Sequence, residues 1–230
     1  MGEEAKKFFV HPGFICASSP YFEAEIKRWK QERYPIRLTY DDPSIFELYL
    51  RCLYSRESID RSPRPAIPGE SLGDILKLYI LADKLGDLTT ANFVIDQVDD
   101  LMLATKAFRR FKEDNAGDLE DIRSLVQAWH ATPANSPLRR LLVDYFARPE
   151  NCGELCNMLD QEEAAGDFAV SIARRLAMKA ANIPEIAHDS YLSPACEYHQ
   201  HDARHPQCGE FTPGGRRSRT LGAPMFHGLG

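Results

Sequence analysis

Three dipeptides constrain this chain more than any other feature: Ser19-Pro20, Asp42-Pro43 and Ser136-Pro137. In each, a residue whose side-chain oxygen accepts a free helix amide precedes a proline. At the first helical position a proline loses nothing, because its missing N–H would have no partner there. Apolar residues at spacings of three and four follow all three. They are Phe22 and Ile26 after the first, Ile45, Phe46, Tyr49, Leu50 and Leu53 after the second, and Leu138, Leu141, Leu142, Tyr145 and Phe146 after the third. A chain that starts helices this often must bury one stripe of each.

The same periodicity predicts further helices. One begins at Asp74, carries Ile75, Leu78, Tyr79, Ala82 and Leu85, and stops at Gly86. The next is capped by Thr89 or Thr90 and carries Phe93, Val94, Val98, Leu101 and Met102; the joint at 86–88 is so short that the two must pack as neighbours. Asp118 caps a helix bearing Leu119, Ile122, Leu125, Val126 and Trp129, which ends at Thr132-Pro133. A last pattern runs from Asp160 to Ala181 around Phe168, Ile172 and Leu176. Residues 60–71, with Pro63, Pro65, Pro68 and Gly69, read as a loop. Two segments read as strands: 7–10, short and aromatic, and 36–40, where Ile36, Leu38 and Tyr40 alternate with Arg37 and Thr39. The expected fold class is α+β and predominantly helical. Its parts are a domain over 1–110, a helical extension over 111–183, and a flexible tail over 184–230 that contains Cys and His.

Composition narrows the function classes. Hydrophobic residues make up 43% and charged residues 27%, which suits a folded soluble chain. Mean hydropathy is −0.39, and no apolar run approaches the roughly 20 residues of a bilayer-spanning helix. The net charge of −6 and pI near 5.7 oppose a broad nucleic-acid binder, which needs clustered Lys and Arg. The opening Met1-Gly2-Glu3-Glu4-Ala5-Lys6-Lys7 is no secretory signal, so an intracellular location, cytoplasmic or nuclear, with reduced cysteines is expected. Cys16 and Cys52, set among Phe14, Ile15, Leu50 and Leu53, read as small buried apolar residues.

Three blocks, in order, resemble the BTB/POZ family. The first is Phe8-Phe9-Val10-His11-Pro12-Gly13-Phe14-Ile15-Cys16-Ala17-Ser18-Ser19-Pro20-Tyr21-Phe22. The second runs from Ile36-Arg37-Leu38 through Asp42-Pro43 to Leu53-Tyr54, and the third from Ile75-Leu76 to Leu81-Ala82-Asp83-Lys84-Leu85-Gly86. Thr132-Pro133 through Ser136-Pro137-Leu138 to Asp144 resembles the helical extension of fungal members. The resemblance implies a helical cluster flanking a small β-sheet, no catalytic residues, no cofactor, and a role as a scaffold or adaptor that binds other proteins. It also implies a Val-x-Val-x-Val-Gly strand ahead of residue 7, which this sequence lacks; that gap counts against the family's homodimerisation. Tyr21, Phe22, Glu25, Ile26 and Lys27 become the candidate protein-interaction residues. Family members that serve cullin ubiquitin ligases carry a hydrophobic-x-Glu triplet where Glu25-Ile26-Lys27 stands here. The added and reversed charges count against a cullin partner.

Enzymatic motifs are missing: the sequence has no Walker loop, dinucleotide glycine fingerprint, His-Glu-x-x-His pair or Gly-x-Ser-x-Gly elbow. The tail holds Cys196, His199, His201, His205 and Cys208. Thiolates and imidazoles of this kind suit tetrahedral zinc, but their spacing fits no standard finger, and the plainer reading is a His-rich tail with adventitious metal affinity. Cys152-x-x-x-Cys156 lacks redox spacing. Arg216-Arg217-x-Arg219 gives the last 20 residues +3, against −9 for the first 210, and reads as a solvated basic tail or an import or phosphate-contact element.

Overall fold

A computed structural model describes residues 6–32, 35–59, 70–104, 115–148, 151, 156, 166–181 and 198–202. These residues form eight helices: α1 (Pro12–Ser18), α2 (Pro20–Glu32), α3 (Pro43–Ile59), α4 (Leu72–Leu85), α5 (Leu88–Ala104), α6 (Asn115–Ala131), α7 (Pro137–Phe146) and α8 (Gly166–Ala180). Each Ser/Asp-Pro signal opens a helix at its proline.

The α4–α5 corner organises the rest. At the end of α4, Gly86 takes φ +69°, a left-handed conformation in which a side chain is strained. Gly86 N–H donates to Asp83 O at 3.0 Å and Asp87 N–H donates to Ala82 O at 2.9 Å, the paired bonds of a Schellman stop. Asp87 then begins α5: its Oδ1 accepts the Thr90 amide at 3.0 Å and its Oδ2 accepts the Thr90 hydroxyl at 2.9 Å. The cap is therefore Asp87, in place of the expected Thr89 or Thr90. Helix α4 starts two residues before Asp74, with Ser71 Oγ accepting the Asp74 amide at 3.1 Å.

Around this hairpin, α3 and α6 pack on α4, α7 packs on α5, and α8 packs on α7. One core runs through all of them, from Ile15 through Tyr49, Leu78, Val94 and Leu125 to Phe168 and Ile172. Cys52 is buried and Cys16 half-buried against that core.

The expected α+β class with a small β-sheet is overturned: among the described residues there is no strand. Residues 6–10 and 35–38 belong to no helix or strand, yet their burial alternates. Phe8 packs edge-on against Phe46 of α3 at 5.0 Å between centroids, while Phe9 is 96% exposed. Ile36 and Leu38 pack on the core, and Tyr40, in the following turn, is 95% exposed. One-sided burial against a helix produces the same period of two as burial against a sheet, so the pattern does not reveal which surface lies beneath. Residues 60–69 of the loop expected over 60–71, and the start of the last predicted helix, 160–165, lie outside the described residues.

Candidate protein-interaction surface

The start of α2 is fastened to the corner. Ser19 Oγ donates to Leu85 O at 2.6 Å and accepts the Phe22 amide at 3.3 Å, so one hydroxyl serves the end of α4 and the beginning of α2. A Cβ placed on Gly86 would stand 3.2 Å from Pro20 Cδ, so the missing side chain makes room for the first turn of α2. An aromatic series leads inward from there: Tyr21 meets Phe22 at 5.3 Å, Phe22 meets Phe46 at 6.2 Å, and Phe46 stacks on Tyr49 at 5.9 Å.

The five residues singled out in α2 are split between core and surface. Phe22 is 5% exposed and belongs to the core, and Ile26 is half-buried against it. Both hold the helix down. Tyr21 is half-buried at the rim; burial, and after it the Glu25 carboxylate, push its phenol up from the ordinary value, against the opposing charge of Lys84. Glu25 pairs with Arg28 at 3.1 Å, and the exposed Lys27 pairs with Glu23 at 2.8 Å. Lys84 of α4 holds both oxygens of Asp41, at 2.7 and 2.8 Å.

Sequence reasoning missed two members of this surface. Arg28 and Trp29 lie seven and eight positions after Tyr21, on the face that Tyr21 and Glu25 occupy, and Trp29 is 43% exposed. The spacing was available; the aromatic at its far end marks it. A second surface cluster also escaped notice: His11 N–H donates to Tyr54 Oη at 3.1 Å, and Phe14 and Tyr54, both partly exposed, lie 5.5 Å apart.

Of the five Cys and His candidates in the tail, two are described. His199 Nε2 lies 2.9 Å from Asp96 Oδ1 in a buried pair, and its ring is 6.1 Å from that of His201. Among the described residues no three His, Cys, Asp or Glu side chains converge on a point that would hold a metal ion. Cys196, His205, Cys208, Cys152 and the three arginines at 216, 217 and 219 lie outside them. Among the described residues no helix is long and apolar enough to cross a membrane. Neither a family model, nor a curated protein, nor a solved structure matches the chain.

Proposed function

We propose that this chain is a non-enzymatic protein-interaction module, BTB/POZ-like in its helices alone, that acts as a scaffold or adaptor. The partner docks on the α2 stripe formed by Tyr21, Glu25, Arg28 and Trp29. One observation carries this reading: two partly exposed aromatics bracket an ion pair on a single helix face whose base is fixed at Ser19, Pro20 and Gly86. Tyr, Trp and Arg dominate the energetics of protein interfaces, because they bury large areas while keeping a polar handle. A rigid platform adds to this, since little ordering cost falls on binding. Phe22 and Ile26 set the height of the helix, and Lys27 stands beside the stripe and tunes approach by charge.

The test compares the wild-type chain with Tyr21→Ala/Trp29→Ala, after thermal melts establish that both fold. Partners recovered by the wild type and lost by the variant support the reading; the same partners retained by both would reject it. Titration with a cullin N-terminal region is expected to give no binding, because Glu25 and Lys27 present charge where that partner needs an apolar anchor and an acid.

A further inference from the structure

Residues 198–202 lie far along the chain from α5 and α7, yet they dock on both through a set of directional polar contacts. The Asn92 carboxamide pairs twice with the backbone of Gln200: Asn92 Nδ2 donates to Gln200 O at 2.8 Å, and Gln200 N–H donates to Asn92 Oδ1 at 2.9 Å. This is the pairing that a neighbouring strand would offer, and it reads the backbone whatever the side chain. One helical turn on, Asp96 meets His199 Nε2 at 2.9 Å, with both side chains almost wholly buried. Preceding His199, Tyr198 donates its hydroxyl to Asp144 Oδ2 of α7 at 3.0 Å, while Arg175 of α8 holds Asp144 Oδ1 at 2.6 Å. Arg175 thereby fixes the carboxylate that accepts the phenol.

We propose that Asn92, Asp96 and Asp144 form a peptide-reading groove specific for a Tyr-His-x segment, and that Tyr198–Asp202 is its resident ligand, bound in cis. The inference is independent of the α2 surface and uses other helices. Its physical basis is the kind of contact used. A segment that merely completes a core buries apolar side chains alone; this one packs Tyr198 on the core and is held besides by a buried His–carboxylate pair, a phenol–carboxylate bond and an amide reading backbone. The two side-chain contacts select for Tyr and His while the Asn92 pairing fixes the register, and together they contribute modest net stability, because desolvation offsets most of what each bond gains. High selectivity with low net hold is what an exchangeable ligand requires.

The probe is the peptide acetyl-Tyr-His-Gln-His-Asp-amide, titrated into the full chain and followed by amide chemical shifts. The variant Tyr198→Ala/His199→Ala loosens the resident segment without touching the groove. It should take up the peptide saturably and at least ten-fold more tightly than the wild type, and adding Asp96→Asn should cost at least ten-fold. If the double variant melts cooperatively yet shows no saturable shift at Asn92 or Asp96, the groove is no reading site. Should that variant fail to fold, the wild type decides by hydrogen exchange at the Gln200 amide. Exchange accelerated by excess peptide means that the resident segment has been displaced, and exchange unchanged by it overturns the proposal.

Discussion

Tyr49 and Asp87, both wholly buried, are joined by a 3.0 Å hydrogen bond in which the phenol donates to Oδ2. The same carboxylate caps α5, and its own amide closes α4. Three helices therefore depend on one residue. A buried carboxylate is tolerable only where hydrogen bonds replace the water it has lost, and here they come from Thr90 and from Tyr49.

Asp87→Ala is expected to cost about 2–4 kcal/mol. Loss of a helix N-cap accounts for about 1–2 of it, and the buried Tyr49 hydroxyl left unsatisfied accounts for much of the rest. Tyr49→Phe should cost less, since the cap to Thr90 survives. Urea denaturation of both single variants and the double variant checks this. Because the two side chains act on each other, the double variant should lose less than the two single losses together; strict additivity would mean that the bond contributes nothing.

Two glycines should respond oppositely to alanine. At Gly86 the φ of +69° and the close approach of Pro20 Cδ both penalise a Cβ, so Gly86→Ala should destabilise by about 1–2 kcal/mol or more. Gly13 lies in the first turn of α1, and a Cβ there meets nothing within 4 Å. Gly13→Ala should be neutral or stabilising by up to about 1 kcal/mol, through the smaller entropy of the unfolded chain. Thermal melts of the pair suffice, and a similar loss at both positions would contradict the packing described at the α2 entry.

The attachment of α8 can be read by fluorescence. Phe168 stacks on Trp129 at 4.6 Å between centroids and meets Phe146 edge-on at 5.6 Å, while the Arg139 guanidinium covers Trp129 at 4.5 Å. Of the two tryptophans, Trp129 is the buried one. Phe168→Ala should cost about 3–5 kcal/mol and shift the Trp129 emission to the red, measured against a Trp29→Phe background. Emission at an unchanged wavelength would mean that α8 does not shield Trp129.

What the sequence disclosed, and what it withheld, follows the range of each interaction. Pro20 and Pro43 each open a helix because a cap and a proline act within four residues, and Pro137 opens one at the same local signal without a side-chain cap. Asp87 was passed over in favour of Thr89 and Thr90 because both residue types cap. The choice fell to the Schellman stop, which sets Asp87 in place before α5 begins. Ser136 was expected to cap α7, yet its side chain makes no capping bond and instead meets Tyr79, 57 positions away. The strand expectation failed at Phe8 because α3 supplies the buried side. In the candidate site, Ile26 followed from its spacing to Phe22, and Tyr21, Glu25 and Lys27 only from the family resemblance; the Asp41–Lys84 pair, 43 positions apart, had no local signal. Tyr198–Asp202 carries no apolar periodicity, and its contacts with α5 span more than 100 positions.

The buried Tyr79–Ser136 contact, 3.1 Å between oxygens, ties α4 to the start of α7 and makes stability depend on alkaline pH. Burial pushes the Tyr79 phenol up from 10.0 to about 12, because a phenolate there would lose its hydration; Asp83 acts in the same direction, and the Ser136 hydrogen bond opposes it. Below pH 10 the group is neutral in both folded and unfolded chains and adds no pH dependence. From pH 10 to about 12 the unfolded chain gives up the proton while the folded chain keeps it. Each pH unit in that window therefore removes about 1.4 kcal/mol. Tyr79→Phe loses the hydrogen bond but also this titration. At pH 8 it should be the less stable of the two by about 1 kcal/mol, with the gap closing and then reversing as pH rises past 10. Urea midpoints of wild type and variant from pH 8 to 12 measure this difference directly, with the other tyrosines and the lysines cancelling between them. A gap that stays constant across the range would mean that Tyr79 titrates alike in both states and that its burial does not govern its ionisation.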